Sequence, residues 1–422
     1  MVKLPNFIRL IFKLPMLFLN LRGKLGAKNL FGMKFLNIAA IVLLCICVAT
    51  QKAQAVTDVI WGGVSVADDA IPFTPVGVML LSDGSGAIDS AADARIAQKK
   101  FSNLNILRRA TAEQIGGVVL TASLARESIE IFKDVTGSTP RFYHVYRVFI
   151  NLMAFDFDDS GMKGRYIGSV PLVIDYIDVK TTVTSKSEQE QIFKSMYLDN
   201  KLEGLNVFDE IYKAANSLDV NGFPEKFAQV SEVSMSPEVA ALIEPQSGNA
   251  EWHPRARQFF EAQLVRYSGS VLVPAMPEER MNREFKFVFS DRSSSIVMPD
   301  PSGQITVIIE KLIPQQAING VQKTLCHGVV IKIQALDELD EEIMDRRFAR
   351  IKKSCFVTHV DNTVDDEVYF RKSVLALLKS IASQFGEKVD GEWLQSFGVP
   401  SDVVAKYKKQ ITRTKGELLP AF

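Results

Sequence analysis

Two long runs of strand-forming residues, Tyr143 to Phe157 and Arg165 to Thr182, are separated by a short polar stretch that includes Asp158-Asp159-Ser160-Gly161. β-Branched and aromatic side chains at this density favour extended backbone, and the short polar side chains and glycine between the runs suit a chain reversal. The pair is predicted to form a long antiparallel hairpin. A chain committed to such a hairpin must cover its faces with other strands and helices, which sets the class as α+β.

The flanking segments supply that cover. Ile60 to Val66 and Val76 to Leu81 read as strands, with Pro72 and Pro75 between them and a turn at Asp83-Gly84-Ser85-Gly86. Thr111 to Phe132 reads as a helix: Thr111 and Gln114 have capping-box spacing, and Ile115, Val119, Ala122, Ile129 and Phe132 fall along one face. After the hairpin, Glu188 to Leu218 has helical spacing in two pieces, interrupted near Gly204. From Asp219 to Asn282, six prolines stand among short helical patterns, which reads as a helical connector. Strand signals return at Phe285 to Phe289, Ile305 to Ile309, Val329 to Leu336 and Phe348 to Val360, and Asp366 to Phe385 is an amphipathic helix.

The expected architecture is therefore α+β, with two β-rich domains of similar order (strands, hairpin, helix) at 56–218 and 283–386. The connector at 219–282 joins them, and a helical tail follows at 387–422. Ala154-Phe155-Asp156 resembles Ala335-Leu336-Asp337, and Glu190 to Lys194 resembles Glu367 to Arg371, so a diverged internal duplication is expected. Residues 336–353 admit two readings. Their acids come first and their bases last, as in a dipole-matched helix, but the parallel with the first hairpin favours strand, turn, strand.

Charge is distributed unevenly. Eight of the 49 basic residues and none of the 49 acidic ones fall in the first 55 positions, leaving 41 against 49 over residues 56–422. A mildly acidic body excludes a generic nucleic-acid binder. From Met33 the chain reads as a signal peptide: Lys34, a mainly apolar run from Phe35 to Thr50, then Ala53-Gln54-Ala55 as a small-x-small cleavage site, with Val56 as the mature N-terminus. The run is shorter than the roughly 20 residues of a membrane span. Residues 1–32 are expected to be an extension from an upstream start. Membrane contact is expected only through the N-terminal segment, if it stays uncleaved.

Removal of Cys45 and Cys47 with the signal would leave Cys326 and Cys355, which in an oxidising compartment are expected to form a disulfide. They are equidistant from a turn centred between Asp340 and Glu341. The register that pairs them sets Ile331 opposite Arg350, whereas hydrophobic alternation would put Val329, Ile331 and Ile333 on one face with Ala349 and Ile351; a bulge would reconcile the two.

Chemical motifs are sparse. His144, His253, His327 and His359 have no metal-binding spacing, and strand geometry would send His327 and His359 apart if the neighbouring cysteines meet. Asp156 to Gly161 starts like a calcium loop, but position twelve is Ile167 where a glutamate belongs, so a turn is expected. Arg346 to Lys353 is a basic run that Asp337 to Asp345 would neutralise. No cofactor or metal site is expected. The expected function is that of an exported, periplasmic, non-enzymatic binding or envelope-accessory protein whose partner is another envelope protein or component. Two alternatives are an exported hydrolase whose acid or base lies among Asp156, Asp158, Asp175 and His253, and a solute-binding protein with a cleft between the halves.

Overall fold

The computed structural model describes residues 57–419 apart from short stretches, the longest being 108–116, 158–163, 244–251 and 276–282. The signal-like segment, the polar reversal at 158–161 and the expected capping box at Thr111 and Gln114 lie outside the described residues.

The first half comprises β1 (Thr57–Ala67), a 3-10 turn (Asp68–Phe73), α1 (Pro75–Ser82), α2 (Ala87–Ala97), β2 (Leu104–Leu107), β3 (Gly117–Asp134), β4 (Arg141–Phe157), β5 (Gly164–Lys180), α3 (Lys186–Leu198) and α4 (Val207–Ala215). The second has β6 (Ala228–Met235), α5 (Pro237–Ile243), α6 (Trp252–Ser268), β7 (Glu284–Phe289), β8 (Ser293–Val297), β9 (Gly303–Asn319), β10 (Gln322–Asp337), β11 (Glu342–Arg350) and β12 (Cys355–His359). It ends in α7 (Asp366–Ser383), α8 (Gly391–Ser396) and α9 (Val404–Leu418). One sheet has the order β5-β4-β3-β1-β7-β8 with β2 beside β1; the other is β11-β10-β9-β6 with β12 beside β10. The class is α+β with two β-rich parts, and β4 and β5 form the long hairpin.

Two expected elements exchange type. Val76 to Leu81 is helix, not strand: Pro75 occupies its first turn, and the carboxylate of Glu127 accepts hydrogen bonds from the N–H groups of Val76 (3.0 Å) and Gly77 (2.8 Å). The helix lies close to the sheet there, since a Cβ on Gly77 would meet Leu124 Cδ1 at 2.3 Å. Conversely, residues 117–132 of the expected helix are strand. β3 is paired on both sides, with β1 in parallel and β4 antiparallel, and Leu120, Ala122 and Leu124 on one face and Thr121 and Ser123 on the other are all buried. A strand covered on both faces loses the polar–apolar alternation that marks a half-buried one.

The stretch 219–282 is more than a helical link. It contributes β6, which runs parallel to β9, and α6, whose Trp252, Ala256, Phe260 and Leu264 enter the core of the second sheet. Just after α6, the carbonyl of Leu272 accepts hydrogen bonds from the hydroxyls of Tyr166 and Ser169 (2.8 Å to the latter), tying β5 to this segment. β7, expected in the second domain, pairs with β1 instead and carries β8 on its other edge, and Phe287 is buried against Phe155. Of residues 336–353, those described, 336–350, form a hairpin: Asp340 takes a positive φ in the turn, and Asp337 Oδ1 accepts from the N–H groups of Leu339 and Glu341.

Cys326 and Cys355 are register partners on β10 and β12 and are bonded to each other. The hydrophobic register differs from expectation, because Ile331 faces Phe348, and Arg350 faces Val329. The outer strand has four residues between Arg350 and Cys355 where β10 has two between Cys326 and Val329, so the register advances by two. Phe348, buried against Trp393 and Tyr407, occupies the core side in place of Ala349.

With β2, β7, β8 and β12 set aside, the two sheets share an order: a strand, two helices, a long strand parallel to the first, two antiparallel strands, then a helix. In both, the long strand outruns its parallel partner. β1 pairs with β3 as far as Leu124, and β6 pairs with β9 as far as Ile309. The remainder of β9, Lys311 to Asn319, is largely exposed and contains Pro314.

Candidate functional site

The residues singled out from sequence do not converge. Asp156 faces Arg165 at one end of the β4–β5 hairpin and Asp175 faces Arg147 towards the other, so the two carboxylates are about 30 Å apart at 3.3 Å per strand residue. Asp158 lies outside the described residues. His253, on α6, contacts the carbonyl of Val233 through Nδ1 at 2.8 Å. His144 and His327 are buried, and each uses Nε2 to hold the start of the helix after its hairpin. His144 accepts from the N–H of Thr184 (3.1 Å), while His327 meets Asp366 Oδ1 (2.7 Å) beside the stacked rings of Phe356 and Tyr369. His359 is on the exposed β12, beside Asp361. Among the described residues no three His, Cys, Asp or Glu side chains are placed to hold a metal ion.

What the fold does bring together is a row of charges that the sequence reading missed. Glu130 on β3, Arg147 on β4 and Asp175 on β5 lie side by side, with Arg147 Nη1 at 2.5 Å from Glu130 Oε2 and Arg147 Nε at 2.9 Å from Asp175 Oδ1. Arg255 of α6 approaches Glu130 Oε1 at 3.8 Å. Burial alone would raise the Glu130 carboxyl, but Arg147, with Arg255 and Arg371 behind it, holds it below the usual value. The only local signal was Arg147 itself, a charge between Tyr146 and Val148 in an otherwise apolar run.

Two neighbouring depressions, of about 300 and 260 Å³, share Ile129 and Arg255 and run along the far end of β3. The first is bounded by α3 and lined by Glu127, Ser128, Lys186, Glu190 and Phe193. The second is bounded by α7 and lined by Glu130, Phe132, Arg371 and Lys372. The Lys372 ammonium sits over the Phe132 ring at 3.4 Å, and Arg371 pairs with Glu367 one turn earlier on α7. Glu127 is committed to α1, so the α7 end carries three cations, Arg255, Arg371 and Lys372, against the lining carboxylate of Glu130 and that of Glu367 behind Arg371. This groove offers positive charge and apolar surface, an arrangement for holding a ligand.

A separate cavity of about 650 Å³ lies between β1, β2 and α2, lined by residues including Trp61, Phe101 and Lys99. Several of its polar groups are engaged: Asn105 Nδ2 donates to Asp58 at 2.7 Å, and Lys99 pairs with Asp209 at 3.1 Å.

No family model matches the chain, and no curated protein matches it. Among solved structures, a hypothetical protein from Chlamydia trachomatis is similar over 39% of this chain and 97% of its own, at 12% identity and a TM-score of 0.20. A minor lipoprotein from Acinetobacter baumannii is similar over 38% of this chain and 92% of its own, at 8% identity and a TM-score of 0.21. Likenesses this faint carry no inference about function.

Proposed function

We propose that the chain is exported to the periplasm of a bacterial envelope, or secreted, and works there as a non-enzymatic binding protein. Its ligand is another envelope protein or component, held in the groove between α3 and α7. The observation that carries the reading is that groove, with its concentration of positive charge over the end of β3. The separation of Asp156 from Asp175 and the engagement of His253 with a backbone carbonyl speak against the hydrolase alternative. A disulfide between Cys326 and Cys355 accords with an oxidising compartment, and no helix among the described residues is long and apolar enough to cross a membrane. The common connectivity of the two sheets supports descent of the halves from one duplicated unit.

Two measurements test the reading. N-terminal sequencing of exported material should begin at Val56; a start before residue 50 removes the cleavage claim. A photo-crosslinking residue at Lys186, on the groove wall, should trap one discrete partner in intact cells, whereas the same residue at exposed Leu339 should not. Equal trapping, or none, would reject the groove as the binding surface.

A further inference from the structure

Deepening that reading, the groove can be assigned a ligand class from the backbone of β3. On one edge β3 pairs with β4 throughout, with Ser128 opposite Arg147 and Lys133 opposite Phe142. On the other, β1 accompanies it only as far as Leu124 before the chain turns away after Ala67 into the 3-10 turn. The next three residues are covered: Ala125 is buried, the Arg126 guanidinium lies over Phe73 at 4.1 Å, and Glu127 caps α1. From Ser128 to Lys133, about 20 Å of strand, this edge has no hydrogen-bonded neighbour among the described residues. Both depressions lie along that stretch. The side-chain oxygen of Ser128, in a residue only 7% exposed, likewise has no hydrogen-bond partner among them.

An edge of this kind is a template for another strand. The corresponding stretch of β9 differs: it lies in solvent and carries Pro314, which has no N–H to offer. The β3 edge contains no proline and is walled on both sides. Glu130 and Phe132 project towards α6 and α7, where Arg255, Arg371 and Lys372 gather, and Ile129 projects towards α3 and Phe193. An added strand would present alternate side chains to these two unlike walls.

We propose that Ser128 to Lys133 takes up an extended segment of a partner protein as an added β-strand, with acidic side chains turned to Arg255, Arg371 and Lys372 and apolar ones turned to Phe193. The charge complementarity is consistent with the state of Arg371: burial draws its guanidinium below the usual value even with Glu367 beside it, so a further anion there would be favourable.

The test uses the purified full-length protein and two fluorescent eight-residue peptides, one alternating valine with glutamate and one alternating valine with lysine. The acidic peptide should bind about tenfold or more tightly than the basic one, and the difference should shrink with added salt. Lys372→Glu, at an exposed position and therefore compatible with folding, should reduce that preference severalfold, and Arg371→Glu with Lys372→Glu should reverse it. N-methylation at successive positions of the acidic peptide should weaken binding at alternate residues only, because an added strand donates every second N–H to its neighbour. Equal affinity for the two peptides, or N-methyl effects without alternation, would overturn strand addition. Trapping of a partner through Lys186 alongside that result would leave the broader binding reading intact and remove only this one.

Discussion

Tyr197 donates its hydroxyl to Glu127 Oε1 at 2.9 Å, and through that bond α3 steadies the carboxylate that caps the neighbouring α1. Three elements distant in sequence thus depend on one buried side chain. Glu127→Ala leaves two helix N–H groups and a phenol without their acceptor and should cost about 3 kcal/mol, with Tyr197→Phe costing about 1. Urea denaturation measures both; a loss below about 1 kcal/mol for Glu127→Ala would show that water replaces the cap.

Glu261 is buried on α6, with Arg257 Nε at 3.8 Å, and burial pushes its carboxyl up to about 7. Because the folded pKa is the higher one, the folded protein takes up a proton between the ordinary value of 4.5 and about 7. Stability from this group is complete below the lower value and is lost as pH rises through the upper one. Glu261→Gln should therefore match the parent near pH 4.5 and exceed it at pH 8, by on the order of 3 kcal/mol. Thermal unfolding at both pH values decides it, and a constant offset between the proteins would contradict the assignment.

Arg147 neutralises Glu130 and Asp175 together, and its removal strands Glu130 in a half-buried site. Arg147→Met should destabilise by about 3 kcal/mol or more at neutral pH, whereas Arg147→Met with Glu130→Gln should recover much of that loss. The Glu130 carboxyl is held below its ordinary value, so its contribution is present above 4.5 and disappears as pH falls through the folded value. The penalty of Arg147→Met should narrow in acid; a pH-independent penalty would point to lost packing in place of lost charge.

The Cys326–Cys355 bond closes a loop over a sequence separation of 29, for which chain entropy gives roughly 3–4 kcal/mol. Replacing both cysteines with serine should lower stability by an amount of that order while leaving peptide binding along β3 unchanged. Mass spectrometry of a non-reduced digest should show the two peptides linked, and freely alkylated thiols in native exported protein would refute the bridge.

How far the fold was legible depended on what covers each segment. The β4–β5 hairpin could be read because its runs are too long and too rich in β-branched residues for anything else, and the cysteine pairing because the two positions are equidistant from a turn. β3 was hidden by two-sided burial, which gave Val119, Ala122 and Ile129 the spacing of a helix face. α1 was hidden because its cap comes from Glu127, some fifty positions later, and its six-residue apolar stretch has no period of its own. The charge row and the groove escaped for a related reason: their residues come from β3, β4, β5, α6 and α7, and nothing within any one segment marks them. Sheet membership of β7, and through it β8, was likewise a matter of long-range pairing with β1, which local patterning does not encode.

Pro314 has a consequence for assembly. The exposed end of β9 resembles the end of β3 in outrunning its parallel neighbour, and two equally receptive edges on one molecule would allow head-to-tail chains to grow without limit. A ring nitrogen without a proton, on a strand end surrounded by water, makes one of the two edges a poor template. If β3 takes up a strand, its counterpart on β9 does not repeat that uptake, and this pair of edges would not propagate fibres.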